Sequence, residues 1–297
     1  MYDVASPTSH PQLRQAGGRQ MTFFRHPPLD KIFFPNVINI QIKVVNLHFI
    51  EIMISEAENI NVDSLWIIPE RDKSGKHANV YHGNFIPQIP NQLIRRYTKE
   101  SDTVLDLFMG SGTTLYECEK LNRNFIGFDI NEQIIDYVKN QMADTQNIEY
   151  QINNCDVADK EKFDIAMNEQ KIQFIIAHPP YMDIVKFTDK AEDLSQISDL
   201  KTFVQKFVQI LNNALPYLEK NKYFAIIIGD VYKKSEVVPL AFYVLDAIKR
   251  NFQVKLKGIV IKNIEGNRGK LGQQSIWQYR ALKSDYFIFK HEYIKKK

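Results

Sequence analysis

Three apolar runs each end in a carboxylate. VLDLFMGSGTT (104–114) carries Asp106 and then a Gly-Ser-Gly turn, Gly110, Ser111 and Gly112, that opens into a helical pattern at Thr113. Glycine lets a backbone approach a ligand closely and take positive φ, and a helix start offers N–H groups without intrahelical partners. A dinucleotide-binding turn needs Gly-x-Gly-x-x-Gly and a phosphate loop needs Gly-Lys-Ser/Thr. Thr113, Thr114 and Leu115 stand there instead, so phosphate binding is disfavoured. Asp106 at the loop start suits a ligand with a positively charged amine, and a nucleoside fits the turn. NFIGFDIN (124–131) ends in Asp129, about 20 residues past the loop, where a carboxylate can accept both ribose hydroxyl hydrogens. A third run ends in Asn154, Cys155 and Asp156, the last able to accept from an adenine amino group. One such aspartate is most often a helix cap or turn former. Three at successive strand ends point together to ligand recognition.

IIAHPPYMD (175–183) is a buried-strand pattern that ends in His178, Pro179, Pro180 and Tyr181. Two prolines fix φ and remove two backbone donors, which leaves carbonyls aimed outward and the flanking side chains held rigidly. Such a turn can grip an amine. An exocyclic –NH2 is a poor nucleophile because its lone pair is delocalised into the ring. Accepting its two hydrogens, one on the Pro179 carbonyl and one on a side chain at 178, favours the pyramidal geometry needed for attack on a sulfonium methyl. Tyr181 would stack on an extruded base. Alone, Pro-Pro-Tyr is more often a strand-ending turn; downstream of a glycine loop in the same sheet it points to a site.

From about residue 80, helical and strand patterns alternate, which implies a largely parallel sheet covered on both faces. The periodicity predicts helices over 89–98, 112–121, 131–144, 198–219 and 236–250. It predicts seven strands over 102–107, 124–129, 147–152, 172–177, 223–229, 252–261 and 284–291, the last two as a hairpin. The segment 1–52 reads differently, Pro/Gln/Gly/His-rich and then strand-like from Ile32, with no chemistry. It is read as an N-terminal extension to a domain spanning 53–297, with an edge strand or a partner-binding arm as the competing reading.

At 44% hydrophobic and 25% charged residues, the chain of 297 has ordinary globular usage, and no apolar run approaches a membrane span. Cys118 and Cys155 form no paired or metal-binding spacing, and no leader pattern opens the chain, so a reduced cytoplasmic setting without metal is expected. The net charge of +3 is unevenly placed: residues 251–297 hold 11 Lys or Arg against 3 acids, a local +8, leaving −5 for 1–250. A polyanionic partner for the C-terminal part follows, against the alternative of a solvated lysine-rich tail.

Together these residues resemble the DNA amino-methyltransferases that modify adenine-N6 or cytosine-N4. DLFMGSGTT resembles their motif I, FIGFDIN motif II, HPPY motif IV, and HGNFIPQIPNQLI (82–94) motif X; DYFIFKHEYI is similar to their last strand. The likeness covers about residues 80–292. It implies an α/β, Rossmann-like, seven-stranded methyltransferase fold, mostly parallel with a C-terminal antiparallel hairpin, and S-adenosylmethionine as cofactor. By the same resemblance Phe85, Asp106, Phe108, Gly110, Ser111, Gly112, Thr113, Asp129, Ile130 and Asp156 would bind the cofactor. His178, Pro179, Pro180 and Tyr181 would act on an amino group of DNA, adenine-N6 favoured over cytosine-N4, as in restriction-modification.

Two departures stand out. His178 replaces the usual Asp, Asn or Ser, and an imidazole nitrogen accepts a hydrogen bond only when unprotonated. With some 22 residues between Asp156 and His178, a large target-recognition domain is not expected there. Target choice would fall on the loop 182–197 and on 262–280, where Lys262, Arg268, Lys270 and Arg280 mix with Trp277 and Tyr279. The rivals are an RNA guanine-N2 methyltransferase, a protein-glutamine methyltransferase and a nucleic-acid-binding subunit in which His178 marks lost catalysis. Cytosine-C5 chemistry is disfavoured, since neither cysteine follows a proline on a strand-end loop. A chain beginning at Met53 is expected to fold and to bind cofactor; loss of its thermal unfolding transition would assign 1–52 to the core.

Overall fold

The computed structural model describes residues 60–78, 80–81, 84–233, 236–264 and 285–291. The elements, in chain order, are β1 (Leu65–Ile68), α1 (Gln88–Tyr97), β2 (Thr103–Asp106), α2 (Thr113–Lys120), β3 (Asn124–Asp129), α3 (Glu132–Gln141), β4 (Tyr150–Asn154), α4 (Lys160–Met167) and β5 (Ile172–Ala177). They continue with α5 (Leu200–Ala214), β6 (Leu218–Ile228), β7 (Val231–Lys233), β8 (Glu236–Val238), α6 (Leu240–Asn251), β9 (Val254–Ile264) and β10 (Asp285–His291). The segment 1–52, its boundary, and Arg268, Lys270, Trp277, Tyr279 and Arg280 lie outside the described residues.

Eight strands form one sheet in the order β1-β9-β10-β6-β5-β2-β3-β4, and β7 and β8 form a small antiparallel ribbon. Every neighbour in the large sheet pairs parallel except β10, which is antiparallel to both β9 and β6. The seven expected strands are all present, and β1 adds an edge strand beside β9. The antiparallel β9–β10 pairing holds over Ile261↔Asp285 to Val254↔His291, while the connection between the two strands lies outside the described residues.

The apolar runs are continuous because both sheet faces are covered. Leu105, Ile126, Phe128, Ile175, Phe224 and Ile226 face one core layer with Phe163 of α4, Phe203 and Phe207 of α5, and Val244 and Ile248 of α6. Their sequence neighbours Val104, Phe125, Phe174, Ile176, Ala225 and Ile227 face the other layer with Ile89 and Leu93 of α1, Leu115 of α2 and Val138 of α3. This period-2 split within each strand is what a pleated, doubly covered sheet requires. Helices α3 and α5 are capped by side chains at their starts: Asn131 accepts from Gln133 and Ile134, and Asp199 from Thr202.

On the second layer, a polar cluster ties α2 to two segments before it. Glu117 accepts from Asn91 at 2.5 Å and meets His77 Nε2 at 2.6 Å, and it is 1% exposed. Glu117→Ala would leave His77 Nε2 buried without this partner and remove the acceptor of the half-buried Asn91 amide, at about 1–3 kcal/mol each. Denaturant unfolding should report a loss of about 2–5 kcal/mol, and a change under 1 kcal/mol would remove this cluster from the stabilising set.

Candidate functional site

Sheet order runs outward from β2 through β3 and β4, then returns to β5 on the other side of β2. Strand order reverses between β2 and β5, and in open α/β sheets that is where a crevice forms at the carboxyl ends. Asp106 pairs with Ile176 in register, and Leu107 N–H donates to the Ile176 carbonyl at 3.2 Å. The glycine turn and the His-Pro-Pro-Tyr turn therefore leave adjacent strands and line one cleft. It encloses about 1040 Å³ of space that includes open solvent at its mouth.

The glycine turn is fixed from below. Met109 N–H donates to the Phe128 carbonyl at 2.8 Å and Gly110 N–H to Asp129 Oδ2 at 2.9 Å. Gly112 has φ +85° and caps α2; a Cβ there would stand 3.0 Å from both Tyr116 Cζ and Val138 Cγ1, so a larger residue would be strained in backbone and would have to push both side chains aside. Asp129 also accepts from Asn131 N–H at 2.8 Å. Burial pushes its carboxyl up to about 6, opposed by the Asn131 and Gly110 hydrogen bonds. A carboxylate has about four lone-pair sites, so two remain for a ligand.

Of the residues expected to bind cofactor, Phe85, Phe108, Gly110, Thr113, Asp129, Ile130 and Asp156 line the cleft, as do His178, Pro179, Pro180 and Tyr181. Asp106, Ser111 and Gly112 are not among its lining residues. Asp106 is fully buried, accepting from Thr114 Oγ1 at 2.5 Å and from Phe108 N–H at 3.0 Å, and so shapes the loop from beneath. Burial raises its carboxyl to about 6. Asp156 holds Ala158 N–H at 2.9 Å and an ion pair with Lys206 of α5 at 3.3 Å, at the cleft margin.

His178 follows buried β5, with its ring 4.8 Å from Phe85 and its Nε2 2.9 Å from the Tyr181 hydroxyl. Burial, and then the charge of Lys262, push its pKa down to about 3, so the imidazole is neutral at physiological pH. Lys262 is itself buried on β9, opposite Trp66 of β1, a place unlike the exposed phosphate contact expected for it. Met182, directly after the turn, has φ +52° and is buried, a strained backbone of the kind that collects at functional sites.

The loop 182–197 was expected to choose the target, and it also closes the cofactor side. Phe187, Thr188, Glu192, Asp193 and Leu194 line the cleft. Buried Asp193 gathers Thr188 N–H, the Thr188 hydroxyl and Ser195 N–H, and Lys190 crosses to the Ile130 carbonyl at 2.8 Å and to Glu132 at 3.0 Å. Tyr81 meets the Phe187 ring at 5.4 Å and, with Asn84, stands over Gly110. Tyr81 and Asn84 were not expected from the sequence, although Asn84 directly precedes Phe85 and its position in that segment was available as a signal.

Comparison with known proteins fits this arrangement. Residues 22–140 match the family model described as DNA methylase, and residues 84–237, more than half of the chain, match D12 class N6 adenine-specific DNA methyltransferase. The chain belongs to the family of DNA amino-methyltransferases. It is 40% identical over 81 residues to Type II methyltransferase M.MjaII of Methanocaldococcus jannaschii, covering 27% of this chain and 15% of that protein. It is 40% identical over 73 residues to Type II methyltransferase M1.MboII of Moraxella bovis, covering 23% and 28%. The chain spans about a third or less of the length of the curated relatives it matches. Among solved structures, a putative rRNA-methylase from Clostridium thermocellum aligns at TM-score 0.48 and 15% identity, covering 68% of this chain and 95% of that one. Among the described residues no helix is long and apolar enough to cross a membrane, and no group of three or more His, Cys, Asp or Glu could hold a metal.

The Asp129 carboxyl gives a pH test of the cleft. Its raised pKa of about 6 means that acid protonates it and removes lone pairs a ribose would use. Affinity for S-adenosylhomocysteine should rise with pH and be about tenfold weaker at pH 5 than at pH 7.5, one unit below the pKa. Asp129→Ala should bind weakly and without this dependence; equal calorimetric affinity of the parent at both pH values would remove Asp129 from the ligand contacts.

Proposed function

We propose that this amino-methyltransferase transfers a methyl group from S-adenosylmethionine to an exocyclic amino group of a DNA base, adenine-N6 favoured over cytosine-N4. The observation that carries the reading is the shared cleft: a nucleoside-type site at Gly110, Asp129, Ile130 and Asp156 opens onto the His178-Pro179-Pro180-Tyr181 turn. The residues present fit the cofactor. Asp129 keeps acceptor capacity toward the cleft, and Gly110 leaves its backbone open to close approach. When bound, S-adenosylmethionine supplies a methyl group on a positively charged sulfur.

The chain's own residues then have separable tasks. Asp129 holds the ribose end, and Ile130 and Asp156 flank the place for the adenine. Pro179 lacks an N–H, and its carbonyl is available to one hydrogen of the target amine. A neutral imidazole at 178 that donates from Nε2 to the Tyr181 hydroxyl keeps the Nδ1 lone pair for the second hydrogen. Holding both hydrogens turns the nitrogen lone pair toward the methyl group. Tyr181, half-buried against the core and anchored at its hydroxyl, offers its ring to a flipped base.

The deciding experiment is transfer of radiolabelled methyl to duplex DNA, tRNA or protein, followed by identification of the modified base. Label in N6-methyladenine or N4-methylcytosine of DNA supports the proposal, and label only in tRNA or protein sinks it. His178→Ala should lower turnover about a hundredfold or more while sparing cofactor affinity, since one positioned transition-state hydrogen bond is worth roughly 2.7–4 kcal/mol by analogy with an oxyanion-hole donor. Tyr181→Ala should weaken capture of the base by about 1–3 kcal/mol. Parent-like rates in both variants would reduce the turn to a structural role.

A further inference from the structure

We propose that Lys233 is a positioning residue for methyl transfer: paired with Asp183, it fixes the turn that carries His178, Pro179 and Tyr181. The assignment rests on the reading of that turn as the place where the target amine is held. Its own basis is an ion pair outside the cleft, since neither Lys233 nor Asp183 is among the lining residues. Lys233 Nζ, at the end of β7, meets both Asp183 carboxylate oxygens, at 2.7 and 2.8 Å, and donates to the Ser198 carbonyl at 3.4 Å. An ammonium has three donors, and here they reach Asp183 near the start of the loop 182–197 and Ser198 just past its end. β7 follows β6, the strand paired with β5, so the contact links the carboxyl end of β6 to the turn that leaves β5.

The turn needs such a hold. Met182 has φ +52°, a backbone that residues with a Cβ rarely adopt, and the single helical turn Met182–Ile184 is closed by Ile184 N–H to the Tyr181 carbonyl at 3.4 Å, a long bond. Met182 is anchored by burial in the same core layer as Val231 of β7, and Asp183 by Lys233. The two residues directly after Tyr181 are thus fixed, one by packing and one by charge. Folding stability is a poor explanation of the pair, because its side chains are 30% and 24% exposed and ion pairs in reach of water contribute little. What it supplies is geometry: a carboxylate with both oxygens on one ammonium has little freedom to turn. The Lys233 hydrogen bond also holds the Asp183 carboxyl below the usual carboxylate range, with Lys186 a smaller influence in the same direction, so the pair is charged at neutral pH. Transfer depends on such placement, since reacting atoms must meet at about 3–3.5 Å and a displacement of about 1 Å can cost a hundredfold in rate.

The test measures methyl transfer by the full chain to duplex DNA from a methylation-deficient host, with kcat, the KM for DNA and S-adenosylhomocysteine affinity read separately. Lys233→Ala and Asp183→Asn should each lower kcat about tenfold. Their KM for DNA and their S-adenosylhomocysteine affinity should stay within about twofold of the parent, the affinity also reporting that they are folded. The double variant should lose about the same tenfold and not a hundredfold, because either change breaks the same pair. Lys233→Arg, which keeps the charge, should stay within about threefold of the parent. A raised KM for DNA with unchanged kcat in Lys233→Ala would make Lys233 a phosphate contact and overturn the assignment. So would a hundredfold loss in the double variant, failure of arginine to restore turnover, or equal loss of turnover and cofactor affinity. Single variants that match an active parent overturn this assignment alone. A parent that binds S-adenosylhomocysteine but modifies no DNA base overturns the function proposed above and this assignment with it.

Discussion

The site depends on one pairing, β2 beside β5. Strands in a sheet run about 4.8 Å apart, so two loops leaving adjacent carboxyl ends are forced together whatever their sequences. Here the Leu107 N–H bond to the Ile176 carbonyl continues the ladder one residue beyond β2, and the glycine turn and the His-Pro-Pro-Tyr turn start within two or three residues of it. The pairing is secured from both faces, since Leu105 and Ile175 belong to one core layer and Val104, Phe174 and Ile176 to the other. Slipping the register by one residue would exchange these layers and separate the two turns.

The same architecture holds two carboxylates at an electrostatic cost. Asp106 and Asp129 both have folded pKa values raised to about 6 by burial, above the value near 3.9 of an unfolded aspartate. A raised acid contributes stability that is complete below the unfolded pKa and lost as pH rises through the folded one, so at neutral pH both charges oppose folding. They are retained because each organises backbone: Asp106 bends the chain through Phe108 and Thr114, and Asp129 fixes Gly110 and Asn131. Of the two, only Asp129 also faces the cleft. Similar local chemistry at two strand ends thus has two outcomes, decided by which side of the loop the carboxylate lies on.

That difference explains much of what the sequence made legible. Long doubly buried strands such as IQFIIA were readable because their apolar runs have no other use, and β3 and β5 fall on the expected bounds. Lys160–Met167 was missed because only Phe163 and Met167 point inward, too few to reveal a helical period, although Asp159 caps it. Leu65–Ile68 was missed because an edge strand needs one partner and a few residues; Trp66 is buried while Leu65 and Ile67 stay exposed. The glycine turn, Asp129 and the proline turn were legible as motifs. Tyr81, Asn84, Thr188 and Asp193 were not, because they reach the cleft through tertiary folding of two loops with no periodic signal.

Histidine at 178 is the departure from the family pattern, and its surroundings make it chemically closer to the residues it replaces. An ordinary imidazole would be partly cationic near pH 6.5 and would then lack any acceptor. Packing against Phe85 and the charge of Lys262 remove that protonation, and Tyr181 occupies one of the two nitrogens. When Nε2 carries the ring hydrogen and donates it to Tyr181, Nδ1 keeps a lone pair and can accept one hydrogen bond, as an amide oxygen can. Such a group has no titration near neutrality to impose on the transfer step. The carboxyls whose raised values fall between pH 5 and 7 are those of Asp106, beneath the glycine turn, and Asp129, which lines the cleft.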